Sequence, residues 1–137
     1  RIADAELADS IERLGVKTFL ELWQETPLIR SQKEIPANHR AFMQANRLEN
    51  TSVGLARSLR QFGQGSAPNL WPEIGKLAMP ALLITGEKDT KYTNIAQRMQ
   101  QVLPNASHVS ILNTSHMPHL EQPDSVEKAI KAFLAEQ

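Results

Sequence analysis

The stretch Ala81-Leu-Leu-Ile-Thr-Gly-Glu-Lys-Asp89 decides how the rest of the chain is read. A short apolar run bounded by Pro80 and Gly86 has the length and make-up of a buried strand. It delivers a carboxylate, Asp89, to the turn beyond its C-terminal end. Downstream, Ile95, Met99, Val102 and Leu103 fall on one helical face, and Pro104-Asn105 ends that helix. Ser107 to Leu112 then alternates, with His108 and Ser110 expected outward and Val109 and Ile111 inward, as in a strand. Strand, helix and strand in that order form a right-handed crossover of a parallel sheet, whose sites lie at the C-terminal edge of the strands. From Pro123 a last helix sets Val126, Ile130, Phe133 and Leu134 on one face to cover the sheet. Two strands do not make a stable sheet alone. Partner strands are therefore expected from another segment or chain, and the open edge favours self-association.

Upstream of the strand the period is helical throughout. Ala3, Leu7, Ile11 and Leu14 share a face, and Gly15 is placed to stop that helix. Val16 to Trp23 continues the period until Thr26-Pro27, where proline restricts the residue before it. Leu28 to Ala37 reads as a connection with about one helical turn. A third helix is expected from near Pro36 to about Leu48. Asn50-Thr51 caps a fourth, which carries Val53, Leu55, Leu59 and Phe62 and is expected to stop at Gly63 in a left-handed conformation. Gly63-Gln-Gly-Ser-Ala-Pro68 is rich enough in turn residues to be a hinge. The organisation expected is an all-helical unit over 1–65 followed by an α/β unit over 66–137. The chain opens without Met and is helical at once, which reads as a cut end.

The totals bound the function classes. A chain of 137 residues can bury one real core. Fifteen basic and fifteen acidic side chains cancel, so no global field favours nucleic acid or an anionic membrane surface. The absence of cysteine excludes disulfides and thiolate metal sites and fits a reducing cytosol. No apolar run approaches the roughly 20 residues that span a bilayer. A soluble, cytoplasmic protein without metal is expected.

Asp89 follows the first strand, and Ser115-His-Met-Pro-His119 follows the second. Adjacent parallel strands would project Asp89 and His116 from one edge of the sheet. An Asp that accepts from one imidazole nitrogen fixes the tautomer and leaves the other nitrogen as a base. That is the logic of a catalytic triad. Its nucleophile is missing, because no G-x-S-x-G occurs in the chain.

These residues resemble a known superfamily. Pro80 to Asp89, followed by Ser115-His-Met-Pro-His-Leu-Glu-Gln-Pro123, is similar to the C-terminal part of the α/β-hydrolases, although Ser115 stands where that superfamily usually has Gly. Gly54-Leu-Ala-Arg-Ser-Leu-Arg60, Gly63-Gln-Gly-Ser, Asn69-Leu-Trp71 and Asp89-Thr-Lys-Tyr92 resemble one branch. That branch is the 2-succinyl-6-hydroxy-2,4-cyclohexadiene-1-carboxylate synthases of menaquinone biosynthesis. The resemblance implies an α/β fold in which 1–65 is a helical cap and 66–137 holds the last two parallel strands with their helices. It also implies proton abstraction from a tricarboxylated substrate with elimination of pyruvate, without metal or organic cofactor. His116 would be the base working through an absent Ser, and Asp89 would orient it. Arg47 matches a cap arginine, Trp23 a cap aromatic, and Lys91 beside the acid turn would help to hold an anion. The implied partners are a small polycarboxylate substrate and an N-terminal half carrying the serine.

Each of these residues also has a plainer reading. An Asp after a strand is ordinarily a turn residue, and a loop His ordinarily faces solvent; the joint pattern sets them apart. Arg47 and Arg60 on helices default to a solvated face, and Trp23 and Trp71 to packing. His119 is expected to be buried or to brace its loop, and His108 carries no signal. Two other functions stay open: an esterase, thioesterase or carbon-carbon hydrolase using the same triad, and a non-catalytic fragment or assembly module. Without the nucleophile, the chain alone is expected to be inactive.

Overall fold

The computed structural model describes residues 2–136, with only the backbone of Leu28. It contains two compact units, one formed by 2–30 and 37–69 and the other by 31–36 and 70–136. The second unit thus takes in a short segment from within the helical half of the sequence.

The first unit is helical: α1 (Ile2–Leu14), α2 (Val16–Trp23), α3 (Pro27–Arg30), α4 (Ala37–Leu48) and α5 (Ser52–Phe62). Ala8 on α1 and Ala56 on α5 are both fully buried, and side chains this small let the two helices approach closely. Ile11, Phe19, Ile29 and Met43 are buried with them in the core. Across the outer side of the same pair, Arg60 binds Asp9 at 2.6 Å and Glu12 at 2.7 Å. Thr51 caps α5 by accepting the Gly54 N–H at 3.1 Å. Asn50 instead closes α4, donating to the carbonyls of Asn46 and Arg47.

Two glycines act differently from one another. Gly15, at φ 77° and ψ 161°, occupies a region that only glycine adopts readily. Its N–H closes α1 on Ile11, and its carbonyl opens α2 on Phe19. Gly63, expected to be left-handed, has φ −60° and ψ 154°. Its glycine requirement is steric, because a Cβ would collide with the Leu59 carbonyl and the Asp4 carboxylate. Asp4 is fixed there by accepting the Gly65 N–H at 2.9 Å.

The connection expected over 28–37 is more ordered than a single turn. After α3 comes a 3-10 turn, Ser31–Glu34, which belongs to the second unit; Gln32 within it and Ile35 just after it are buried.

The second unit holds α6 (Trp71–Ile74), β1 (Ala81–Gly86), α7 (Thr90–Val102), β2 (Ala106–Ile111), α8 (Pro118–Glu121) and α9 (Pro123–Ala135). β1 and β2 pair in parallel, in register from Ala81 opposite Ala106 to Gly86 opposite Ile111. Helices α7 and α9 both pack on this sheet. β1 was expected to be buried along its length, yet Ala81 to Ile84 are only half-buried. Among the described residues it has a neighbour on one side only. His108, expected outward, is half-buried with Nε2 2.9 Å from Thr85 Oγ1. Residues 83, 85 and 108 share a sheet face, so a strand hydroxyl gives the ring a partner there. Among the described residues no helix is long and apolar enough to cross a membrane.

Candidate active site

The C-terminal ends of β1 and β2 are joined by close backbone contacts. Glu87 N–H bonds the Ile111 carbonyl at 3.0 Å, and Lys88 N–H bonds the Thr114 carbonyl at 2.9 Å. In return, the Glu87 carboxylate accepts the N–H of Asn113, a residue with φ 58°. Thr114 is fully buried and donates to the Ile111 carbonyl at 2.8 Å, which turns the chain back after β2. Gly86 is glycine because there is no room for more. A Cβ would collide with the carbonyl oxygens of Ser115 and Thr114. Ser115 itself has no positive φ, so its position tolerates a side chain.

This packing brings Asp89 and His116 together. Asp89 is 8% exposed, its N–H closes a turn on the Gly86 carbonyl, and its side chain caps α7. One carboxylate oxygen accepts the Tyr92 N–H at 3.2 Å, and the other lies 2.7 Å from His116 Nδ1. A carboxylate only accepts, so Nδ1 carries the hydrogen and Nε2 of the neutral ring is the free base. The His116 side chain remains 29% exposed while that of Asp89 is 6%, leaving the ring reachable and its partner shielded.

Three further residues shape the pair. The ring of Tyr92 lies against that of His116, with centroids 4.9 Å apart. Lys91, exposed on the first turn of α7, places Nζ 5.4 Å from the Tyr92 ring centre. Glu121 accepts the N–H of Ser115 at 2.8 Å and of Met117 at 3.1 Å, one on either side of His116. Tyr92 and Glu121 lay within motifs quoted from the sequence, but no role followed from spacing alone. Their signal is local: Tyr92 stands three residues after a helix cap, and Glu121 closes the turn that begins at the histidine. His119, expected to be buried or to brace the loop, is exposed on α8.

Arg47 and Trp23 meet in the first unit, with the guanidinium carbon 5.1 Å from the indole ring centre. Trp23 in turn stacks on Phe19 at 6.3 Å. The pair borders a hollow of about 270 Å³ lined mainly by apolar side chains, including Leu7, Leu20 and Leu55. Burial lowers the pKa of Arg47 from the ordinary arginine value. Thus Asp89, His116 and Lys91 belong to one unit, and Arg47 and Trp23 to the other.

Comparisons with known proteins bear on the whole chain. No family model matches it. A Bacillus subtilis protein named as a 2-succinyl-6-hydroxy-2,4-cyclohexadiene-1-carboxylate synthase is 37% identical over 131 residues, covering 96% of this chain and 48% of the Bacillus protein. The solved structure of MenH from S. aureus superposes with a TM-score of 0.94 at 32% identity, over 98% of this chain and 51% of that one. A thermophilic esterase from Thermogutta terrifontis, solved with malate bound, superposes with a TM-score of 0.81 at 21% identity, over 98% of this chain and 49% of the esterase. That last likeness concerns the fold alone. The chain spans about half the length of the curated relatives it matches.

Proposed function

We propose that this chain, similar over nearly its whole length to 2-succinyl-6-hydroxy-2,4-cyclohexadiene-1-carboxylate synthases, is the C-terminal half of such an enzyme of the α/β-hydrolase superfamily. The observation that carries the reading is the 2.7 Å contact between a shielded Asp89 and a reachable His116. In this reading Asp89 holds the ring and stabilises the imidazolium. Nε2 takes a proton from a serine supplied by the N-terminal half, and that serine relays proton abstraction from the substrate. Elimination of pyruvate follows, without metal or organic cofactor.

The helical unit acts as the cap. A substrate with several carboxylates needs cations, and guanidinium offers two parallel donors to each carboxylate. Arg47, braced on Trp23 beside an apolar hollow, suits an acid with a hydrocarbon ring. Lys91, held over Tyr92, supplies a second charge on the side of the base. A neutral, cysteine-free chain suits a cytoplasmic enzyme.

The test is turnover by the complete enzyme. Release of pyruvate with concurrent formation of 2-succinyl-6-hydroxy-2,4-cyclohexadiene-1-carboxylate, without cleavage of simple aryl esters, is the expected result. Ester cleavage without pyruvate release would assign the triad to a hydrolase instead.

A further inference from the structure

We infer that Glu121 is a positioning residue that sets the aim of the His116 ring. The inference rests on the reading of His116 as the base. His116 is the one residue between two backbone N–H groups held by a single carboxylate, Ser115 on Oε2 at 2.8 Å and Met117 on Oε1 at 3.1 Å. Both oxygens are spent on the loop, and Glu121 makes no ion pair among the described residues. Charge-assisted bonds of this kind are roughly twice as strong as neutral ones. Glu121 is itself anchored, because its own N–H and that of Leu120 bond the Met117 carbonyl and α8 begins at the buried Pro118. The clamp and the Asp89 contact therefore fix His116 from backbone and ring together. A base must be held within about 0.5 Å of its working place.

Glutamine keeps the volume of Glu121 but offers one acceptor oxygen and turns an NH2 group toward the second amide. In the 15N-labelled complete enzyme, Glu121→Gln should leave β1 and β2 amide exchange unchanged. The amides of Ser115 and Met117 should exchange on the order of tenfold faster, and the Nδ1 proton signal of His116 should broaden or move upfield as its bond to Asp89 loosens. An unchanged Nδ1 signal would overturn the inference, and so would loss of β1 and β2 protection, which would make Glu121 a general support of the fold. In the complete enzyme the same variant should lower kcat by roughly tenfold to a hundredfold with KM unchanged. Failure of pyruvate release in the unaltered enzyme would sink the reading of His116 as base while leaving the ring signal intact.

Discussion

The two units reach order by different means. In the helical unit, side chains do the work: alanines close the α1–α5 contact, and an exposed arginine bridges the same helices. At the end of the sheet, backbone groups do it. Gly86 lies against two carbonyls, the Glu87 and Glu121 carboxylates hold loop amides, and Thr114 is sealed inside. Side-chain contacts on a helix face tolerate small shifts, since neighbours can repack. A loop held through its backbone cannot move without breaking several bonds. Rigidity is therefore concentrated around the Asp89 and His116 pair.

The contrast can be broken at its strongest point first. Asp89→Asn in the complete enzyme should reduce kcat by about 10⁴-fold, because an amide no longer enforces the tautomer that leaves Nε2 free. Circular dichroism should remain unaltered, and a loss of less than about tenfold would remove Asp89 from the mechanism.

Next comes a paired test on glycine. Gly86→Ala pushes a methyl group into fixed carbonyls and should cost about 1–3 kcal/mol in thermal denaturation, with loss of the ring contact. Gly63→Ala meets the Leu59 carbonyl and the Asp4 carboxylate at a helix end, which can fray without breaking a network of loop bonds, and should cost less. Equal costs would mean that the two regions are equally rigid.

The smallest effect concerns the exposed bridge. The hydrogen bond from Arg60 lowers the pKa of Glu12 below 4.5. Its contribution to stability is therefore fully present above about pH 4.5 and is lost as the pH falls through the lower folded-state value. The Glu12→Gln variant should therefore be slightly less stable than the parent chain above pH 4.5, since the bridge is exposed to solvent, and the difference should vanish on acid titration below that pH.

The sequence reveals the Asp89 and His116 contact because parallel topology alone puts the ends of β1 and β2 side by side. It reveals the helices for the same kind of reason, since their period is written in Leu7, Ile11, Phe19 and Leu59. What it conceals depends on contacts that no period encodes. Gly63 looked like a left-handed stop, but its constraint is the Leu59 carbonyl together with Asp4, which is distant in sequence. His108 looked outward until Thr85 across the sheet gave it a partner. Ser31 to Pro36 reads as a linker, and local turn chemistry does not say which unit will bury Ile35. Glu121 is hidden similarly, because its partners are main-chain amides that every residue possesses.

The most direct test of the central claim is complementation. The chain, mixed with a separately produced N-terminal half of a related synthase carrying the serine elbow, should release pyruvate from the pathway substrate, although neither half does so alone. The same mixture made with His116→Ala should release none. Turnover by the chain alone, or undiminished release by the His116→Ala mixture, would contradict the account.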